Sequence, residues 1–242
     1  KHIICLGKTA LECLQKDIEV CTWADNIGFI YHPSYFMKQS KDGLQQFKML
    51  MNAKDKGEFK CDMVLINTLE LFHRFLISIN RDKIVFDTET TDININKLKL
   101  VGISFYSEGD EISSNEAYYL PFGHTTGEQQ LNFEECKEDL KRLFLNAKLI
   151  VGHNLVFDMQ VIKKYDIYPE NAQWFDTMVA QHLVDEESEK GLKFLAKYYF
   201  GHTMETYSEV SKNENFANVK IENAKNYSCD DSIQTFRLYE LF

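Results

Sequence analysis

Apolar and polar positions along the chain recur with two periods, and the switches between them mark out the elements. Ile3-Ile4-Cys5-Leu6 is a short apolar run stopped by Gly7 and reads as a buried strand, after which Thr9 to Gln15 takes up helical spacing. Gly28-Phe29-Ile30-Tyr31 reads as a second strand running into His32-Pro33-Ser34. Residues 39–52 carry Leu44, Phe47, Leu50 and Met51 at helical intervals. Asn52 to Glu58 is polar and patternless, which predicts a linker. A new unit starts at Met63-Val64-Leu65-Ile66, a strand, with Asn67 and Thr68 as candidate N-caps for a helix through Ser78. Lys83–Glu89, Leu98–Tyr106 and Ala117–Phe122 read as three consecutive strands, which predicts an antiparallel meander. A helix is expected over 133–146, a short strand over Leu149–Gly152, and a helix from Leu155 to Tyr165. The rest reads as mostly helical, closing with Ile221 to Phe242. The whole predicts an α/β unit with a mixed sheet covered by helices.

A chain of 242 residues with 18 Phe and 12 Tyr can bury a sizeable core in one large or two small domains. No apolar run reaches membrane-spanning length, so no membrane is expected among its partners. The six cysteines (Cys5, Cys13, Cys21, Cys61, Cys136, Cys229) include no C-x-x-C pair and read as buried, reduced thiols of a cytoplasmic protein. The chain starts at Lys1, which suggests a piece of something longer. The net charge of −10 argues against a passive nucleic-acid binder. Residues 1–60 hold 9 basic and 7 acidic residues, and the remainder holds 18 and 30. An acidic segment that handles polyanions needs cations, and bound divalent metals would supply them locally.

Three pairs of residues concentrate the chemistry. Asp87 and Glu89 are two apart on a strand, so both point to one face. Asn154 and Asp158 are four apart in a helical stretch, with Gly152 permitting a tight entry and Asn154 equally readable as an N-cap. Tyr227 and Asp231 are four apart on the closing helix, and that step selects Asp231 over its neighbour Asp230. Each pair alone also suits a solvated acid or a core tyrosine.

Together, Phe86-Asp87-Thr88-Glu89-Thr90-Thr91, Val151-Gly152-His153-Asn154-Leu155-Val156-Phe157-Asp158 and Tyr227-Ser228-Cys229-Asp230-Asp231 resemble the three exonuclease motifs of the DEDD superfamily in its Tyr-bearing branch. The stretches between them, Leu100–Phe105, Ala117–Phe122 and Trp174–Met178, resemble the proofreading domain of family A, polymerase I-like DNA polymerases. The resemblance covers about Met63 to Phe242 and implies a ribonuclease H-like mixed sheet flanked by helices. It implies 3′–5′ removal of nucleotides from single-stranded or frayed DNA ends, with two divalent ions, Mg²⁺ or Mn²⁺, as cofactors. Asp87 would bridge both ions, Glu89 and Asp231 would complete the tighter site, and Asp158 would hold the second through its water shell. Tyr227 would orient the attacking water, since a phenol is a poor base near neutral pH. Asn154, Thr88 and His153 would lie against substrate. Phe105, Tyr106, Phe122 and the His153 region are candidates for stacking on the terminal bases, each equally readable as ordinary core or rim, and His124, His182 and His202 read as structural. The implied partners are a single-stranded DNA 3′ end and a polymerase domain in the same longer chain, in bacterial or phage-infected cytoplasm.

The opening segment differs. Ile4–Leu11 followed by Tyr31-His32-Pro33-Ser34-Tyr35-Phe36 resembles the C-terminal part of a family 4 type uracil-DNA glycosylase, with Cys5 where the last cluster-binding cysteine would lie. One thiol cannot hold a cluster. The expected organisation is therefore a small N-terminal α/β segment over 1–55, a linker over 56–62 and an exonuclease domain over 63–242. Three rivals remain: an RNA 3′-end exonuclease like ribonuclease D, a non-catalytic DNA-holding module, and a glycosylase.

Overall fold

The computed structural model of the protein describes residues 3–6, 10, 12, 23–24, 27–30, 59–109 and 114–242. The backbone clusters into two units, residues 1–59 with 193–204, and residues 60–192 with 205–242. In the first unit β1 (Ile3–Leu6), β2 (Trp23–Ala24) and β3 (Ile27–Ile30) form a sheet of order β1-β3-β2. β1 runs parallel to β3 and β2 antiparallel to it. Ala10 and Glu12 are helical; the rest of the helix expected over Thr9–Gln15, the helix over 39–52, the His32-Pro33-Ser34 loop and the linker Asn52–Glu58 lie outside the described residues.

The second unit is built on a six-stranded mixed sheet of order β4-β7-β6-β5-β8-β9. β4 (Asp62–Leu65) leads into α1 (Leu69–Ser78), whose first turn is capped by the Thr68 hydroxyl accepting from Leu71 N at 3.2 Å. β5 (Lys83–Thr90), β6 (Leu100–Ser107) and β7 (Glu116–Pro121) form the antiparallel meander that the alternation predicts. α2 (Phe133–Asn146), β8 (Leu149–Gly152) and α3 (Leu155–Lys164) follow at the expected positions. β9 (Gln173–Asp176) is a strand in a stretch expected to be mostly helical, and it leads directly into α4 (Thr177–Val184). α5 (Leu192–Phe200) clusters, but for its first residue, with the first unit. α6 (Tyr207–Ser211) and a 3₁₀ turn over Phe216–Asn218 precede α7 (Ile221–Leu241).

β5, β8 and β9 are mutually parallel, so their C-terminal ends share one edge of the sheet. Every residue of β6 is buried because helices cover both faces. On one face Phe75 of α1 packs against Phe105 and Tyr118, with ring centroids 5.2 and 5.0 Å apart, and Phe144 of α2 meets Phe86 edge-on at 5.0 Å. α7 lies across the other face, against β4 to β8. No described helix is long and apolar enough to cross a membrane. Cys5, Cys136 and Cys229 are buried and Cys61 half-buried, all as free thiols.

Candidate active site

Strand alternation divides β5 between its two faces. Phe86 and Thr88 point to the side of α1 and α2, and Asp87 and Glu89 to the side of α7. Tyr227 and Asp231 lie one turn apart on the buried side of α7. Oxygens of Asp87, Glu89 and Asp231 all fall within 4.8 Å of one another, with Glu89 7% and Asp231 9% exposed. Ser228 of α7 donates its hydroxyl to Glu89 Oε1 at 2.7 Å and holds that carboxylate in place. Asp230 lies outside the group and accepts from Gln234 Nε2 at 2.8 Å.

Asp158 is not in that group. It is 3% exposed, and its Oδ1 accepts from Thr88 N at 3.0 Å and from Thr88 Oγ1 at 2.5 Å. Thr88 therefore spends its hydroxyl inside the protein, on the face opposite to Asp87 and Glu89. Burial pushes the Asp158 carboxyl up to about 7, against the pull of the Thr88 hydrogen bonds, and Asp176 adds to the rise.

The turn from β8 into α3 has two local requirements. A side chain at Gly152 would run into Leu155, whose Cδ1 lies 2.6 Å from where a Cβ would sit. Asn154 takes the left-handed conformation, with φ of 57°. Its side chain makes no capping bond. Asp176 does the capping instead, accepting from Asn154 N at 3.0 Å, Leu155 N at 2.9 Å and, at the start of α4, Met178 N at 2.9 Å. Sequence reading gave Asp176 no role, because its donors come from two helix starts that only the fold brings together. His153 shares a hydrogen bond of 2.8 Å between Nδ1 and Thr177 Oγ1, and burial pushes its imidazole down to about 4, so the ring is neutral near pH 7.

Tyr227 is 9% exposed, and its phenol is pushed well above its usual value, first by burial and then by Asp231, Glu89 and Asp87. The expected base-stacking aromatics are mostly core. Phe105 and Tyr106 are buried, and Phe122 packs edge-on against Phe133 at 5.3 Å. Tyr207, which the sequence did not single out, is 44% exposed and stacks on Phe216 at 6.0 Å. Phe216 in turn lies 5.7 Å from Tyr227.

Three converging carboxylates, two of them buried, repel one another when ionised, and they form a hard-oxygen donor set. That set suits a divalent cation of the Mg²⁺ type. An acidic centre where β5 meets the last helix of a mixed, helix-covered sheet defines a nuclease domain of the ribonuclease H-like fold. The particular family then follows from comparison with known proteins. The 3′-5′ exonuclease family associated with A-type DNA polymerases matches residues 63–242, and the chain belongs to it.

Relatives include DNA polymerase I of Borreliella burgdorferi, 31% identical over 218 residues, covering 85% of this chain and 23% of that protein. DNA polymerase I of Pseudomonas aeruginosa is 24% identical over 243 residues, covering 96% and 25%. The chain thus spans about a quarter of the length of these relatives. Among solved structures, Escherichia coli RNase D superposes with a TM-score of 0.52 at 12% identity over 76% of this chain and 44% of that one. The Aedes aegypti Nibbler EXO domain gives 0.51 at 13% identity over 78% and 89%. At these identities the likeness is one of fold.

Proposed function

We propose that this chain hydrolyses the terminal phosphodiester of single-stranded or frayed DNA 3′ ends, one nucleotide at a time, as the proofreading part of a longer A-type DNA polymerase. The observation that carries the reading is the convergence of Asp87, Glu89 and Asp231 within 4.8 Å on a chain of the 3′-5′ exonuclease family. Asp87, Glu89 and Asp231 would hold one Mg²⁺ or Mn²⁺ ion; Asp158, bonded to Thr88 outside that group, would act on a second only through its water shell. Two such ions supply an activated water and a stabilised leaving oxygen.

The chain's own residues do the rest. Ser228 keeps Glu89 oriented from α7. Thr88 keeps Asp158 oriented from β5. The Tyr227 phenol keeps its proton at neutral pH, so it orients a water through hydrogen bonding and does not act as a base. The exposed ring of Tyr207, backed by Phe216, offers a face on which a terminal base can stack. His153 and Asn154, at the entry to α3, lie at the same end of the sheet as Asp87 and would lie against substrate.

The test uses 5′-labelled single-stranded DNA and RNA of one sequence with Mg²⁺ or Mn²⁺. A ladder shortening from the 3′ end of DNA is expected, and Asp87→Ala with Glu89→Ala removes it while circular dichroism stays unchanged. Faster loss of RNA would favour the ribonuclease reading, binding without shortening a DNA-holding module, and uracil release without shortening a glycosylase. Unchanged digestion by the double variant would refute the site.

A further inference from the structure

We infer that His124 is a positioning residue for the acidic centre: its two ring nitrogens fasten the segment that leads into α7 to the Tyr119 phenol beneath Glu89. The kinetic part of this inference rests on the exonuclease reading; the geometric part does not.

Glu89 of β5 sits opposite Gly102 of β6 in the antiparallel register. A Cβ at Gly102 would lie 2.3 Å from the Tyr119 hydroxyl oxygen, so the phenol fills the space that a side chain would take beside Glu89. Tyr119 comes from β7, opposite Ser104, which is itself opposite Asp87, so its ring spans the floor under both carboxylates. It is fully buried.

His124 lies just past the end of β7. Its Nδ1 is 2.9 Å from the Val219 carbonyl oxygen, and its Nε2 is 2.7 Å from the Tyr119 hydroxyl. A carbonyl can only accept, so Nδ1 carries the proton. Burial lowers the proton affinity of the ring and keeps it neutral, which leaves Nε2 bare. Nε2 therefore accepts the Tyr119 proton. A phenol has one proton, and here it is directed away from Glu89. Gln130 holds the loop on both sides, accepting from His124 N at 2.8 Å and donating to its carbonyl at 2.9 Å.

Val219 is two residues before the start of α7, the helix that carries Tyr227, Ser228 and Asp231. The chain Tyr119–His124–Val219 thus ties the floor of the site to the helix that closes it. Other ties join the same stretches, Thr125 N to the Ala217 carbonyl at 2.8 Å and Ile221 N to Glu128 Oε2 at 2.9 Å among them, but neither of these reaches the Tyr119 phenol beside the carboxylates. Loss of the buried tie lets α7 shift relative to β5, and the three-carboxylate group loosens.

The experiment compares the full chain with Tyr119→Phe, His124→Leu and the double variant. Tyr119→Phe keeps the ring and deletes only the hydroxyl. Mn²⁺ binding is measured by calorimetry without nucleic acid, alongside kcat and KM on a single-stranded DNA oligonucleotide and the Tm. A hydrogen bond of ordinary strength predicts that each single variant raises the Mn²⁺ Kd about tenfold. kcat should fall with it, while KM stays within about twofold. The double variant should be no worse than the worse single one, because both break one link. An unchanged Mn²⁺ Kd in Tyr119→Phe overturns the inference, even if the Tm falls, as do multiplying effects in the double variant. A wild-type chain that binds Mn²⁺ but shortens no strand overturns the exonuclease reading alone, and the Mn²⁺ titrations still decide the role of His124.

Discussion

Burying Asp158 should cost the metal-free protein stability, and Asp158→Asn isolates that cost. The substituted amide keeps an oxygen for the two Thr88 donors and cannot ionise. The folded-state pKa of Asp158 is about 7, above the ordinary carboxyl value. The folded chain therefore holds this proton more tightly than the unfolded chain does. The stability so gained is complete below about pH 4 and is lost as pH rises through about 7. Between pH 5 and pH 7 the loss is about 1.4 kcal/mol per unit, or about 3 kcal/mol by pH 8. The amide Nδ2 also needs an acceptor, but that cost does not change with pH, so the comparison across pH is the clean quantity. Urea unfolding in chelator at pH 5 and pH 8 measures it. Trp23→Phe in both proteins leaves Trp174 on β9 as the single tryptophan reporter. The wild-type chain should lose about 3 kcal/mol more than the variant over this interval. Equal pH dependence in the two proteins would refute the claim that a costly carboxylate is buried at this position.

On the proposed function, Tyr227→Phe should slow cleavage by about 10- to 100-fold without abolishing it, since a phenol that keeps its proton would orient water and would not be the base; rates from single-turnover digestion check this, and a null variant would contradict it. Asp176→Ala leaves three backbone donors at two helix starts without their acceptor. It should destabilise the unit by about 1–3 kcal/mol, read as a fall in the urea midpoint of Trp174 fluorescence.

Much of the centre was legible because it obeys local periods. Two residues apart on a strand put Asp87 and Glu89 on one face, and four apart on a helix put Tyr227 over Asp231, whatever the rest of the chain does. The meander was legible for the same reason, since β5, β6 and β7 are consecutive and joined without a crossover. β9 was not, because it is a four-residue edge strand whose first two residues are exposed, so it carries no alternating apolar pattern. Asp176 was illegible as a support, and His124 was legible as structural but without its partner, because the groups they hold lie 22 and 95 residues away, at Asn154 and Val219. For Phe105 and Tyr106 the sequence left core and stacking roles equally open, because an aromatic-rich strand does not show whether both of its faces are covered; the structure buries both. Tyr207 lies inside the capping box formed by Thr206 and Glu209, among polar neighbours, and nothing in that local sequence marks its ring as exposed.

The division of β5 explains why the middle residue of Asp87-Thr88-Glu89 matters as much as its neighbours. Alternation sends the two acids toward α7 and leaves Thr88 as the residue of the three that faces α3. Its backbone N–H and its hydroxyl both reach Asp158, so one strand anchors acids from two helices on opposite faces. A serine, valine or alanine at this position would keep the N–H contact; of these only serine also offers a hydroxyl, without the β-branching that suits a strand. The arrangement gathers negative charge that the empty fold does not need: Asp158 is buried at a cost, and Asp87, Glu89 and Asp231 repel one another. A fold selected for stability alone would fill these positions with apolar side chains, as it does at Phe86 and Ile84 on the same strand. The strain at Asp87, Glu89 and Asp231 is concentrated where a cation would relieve it, which is the physical argument for reading the acidic centre as a functional one.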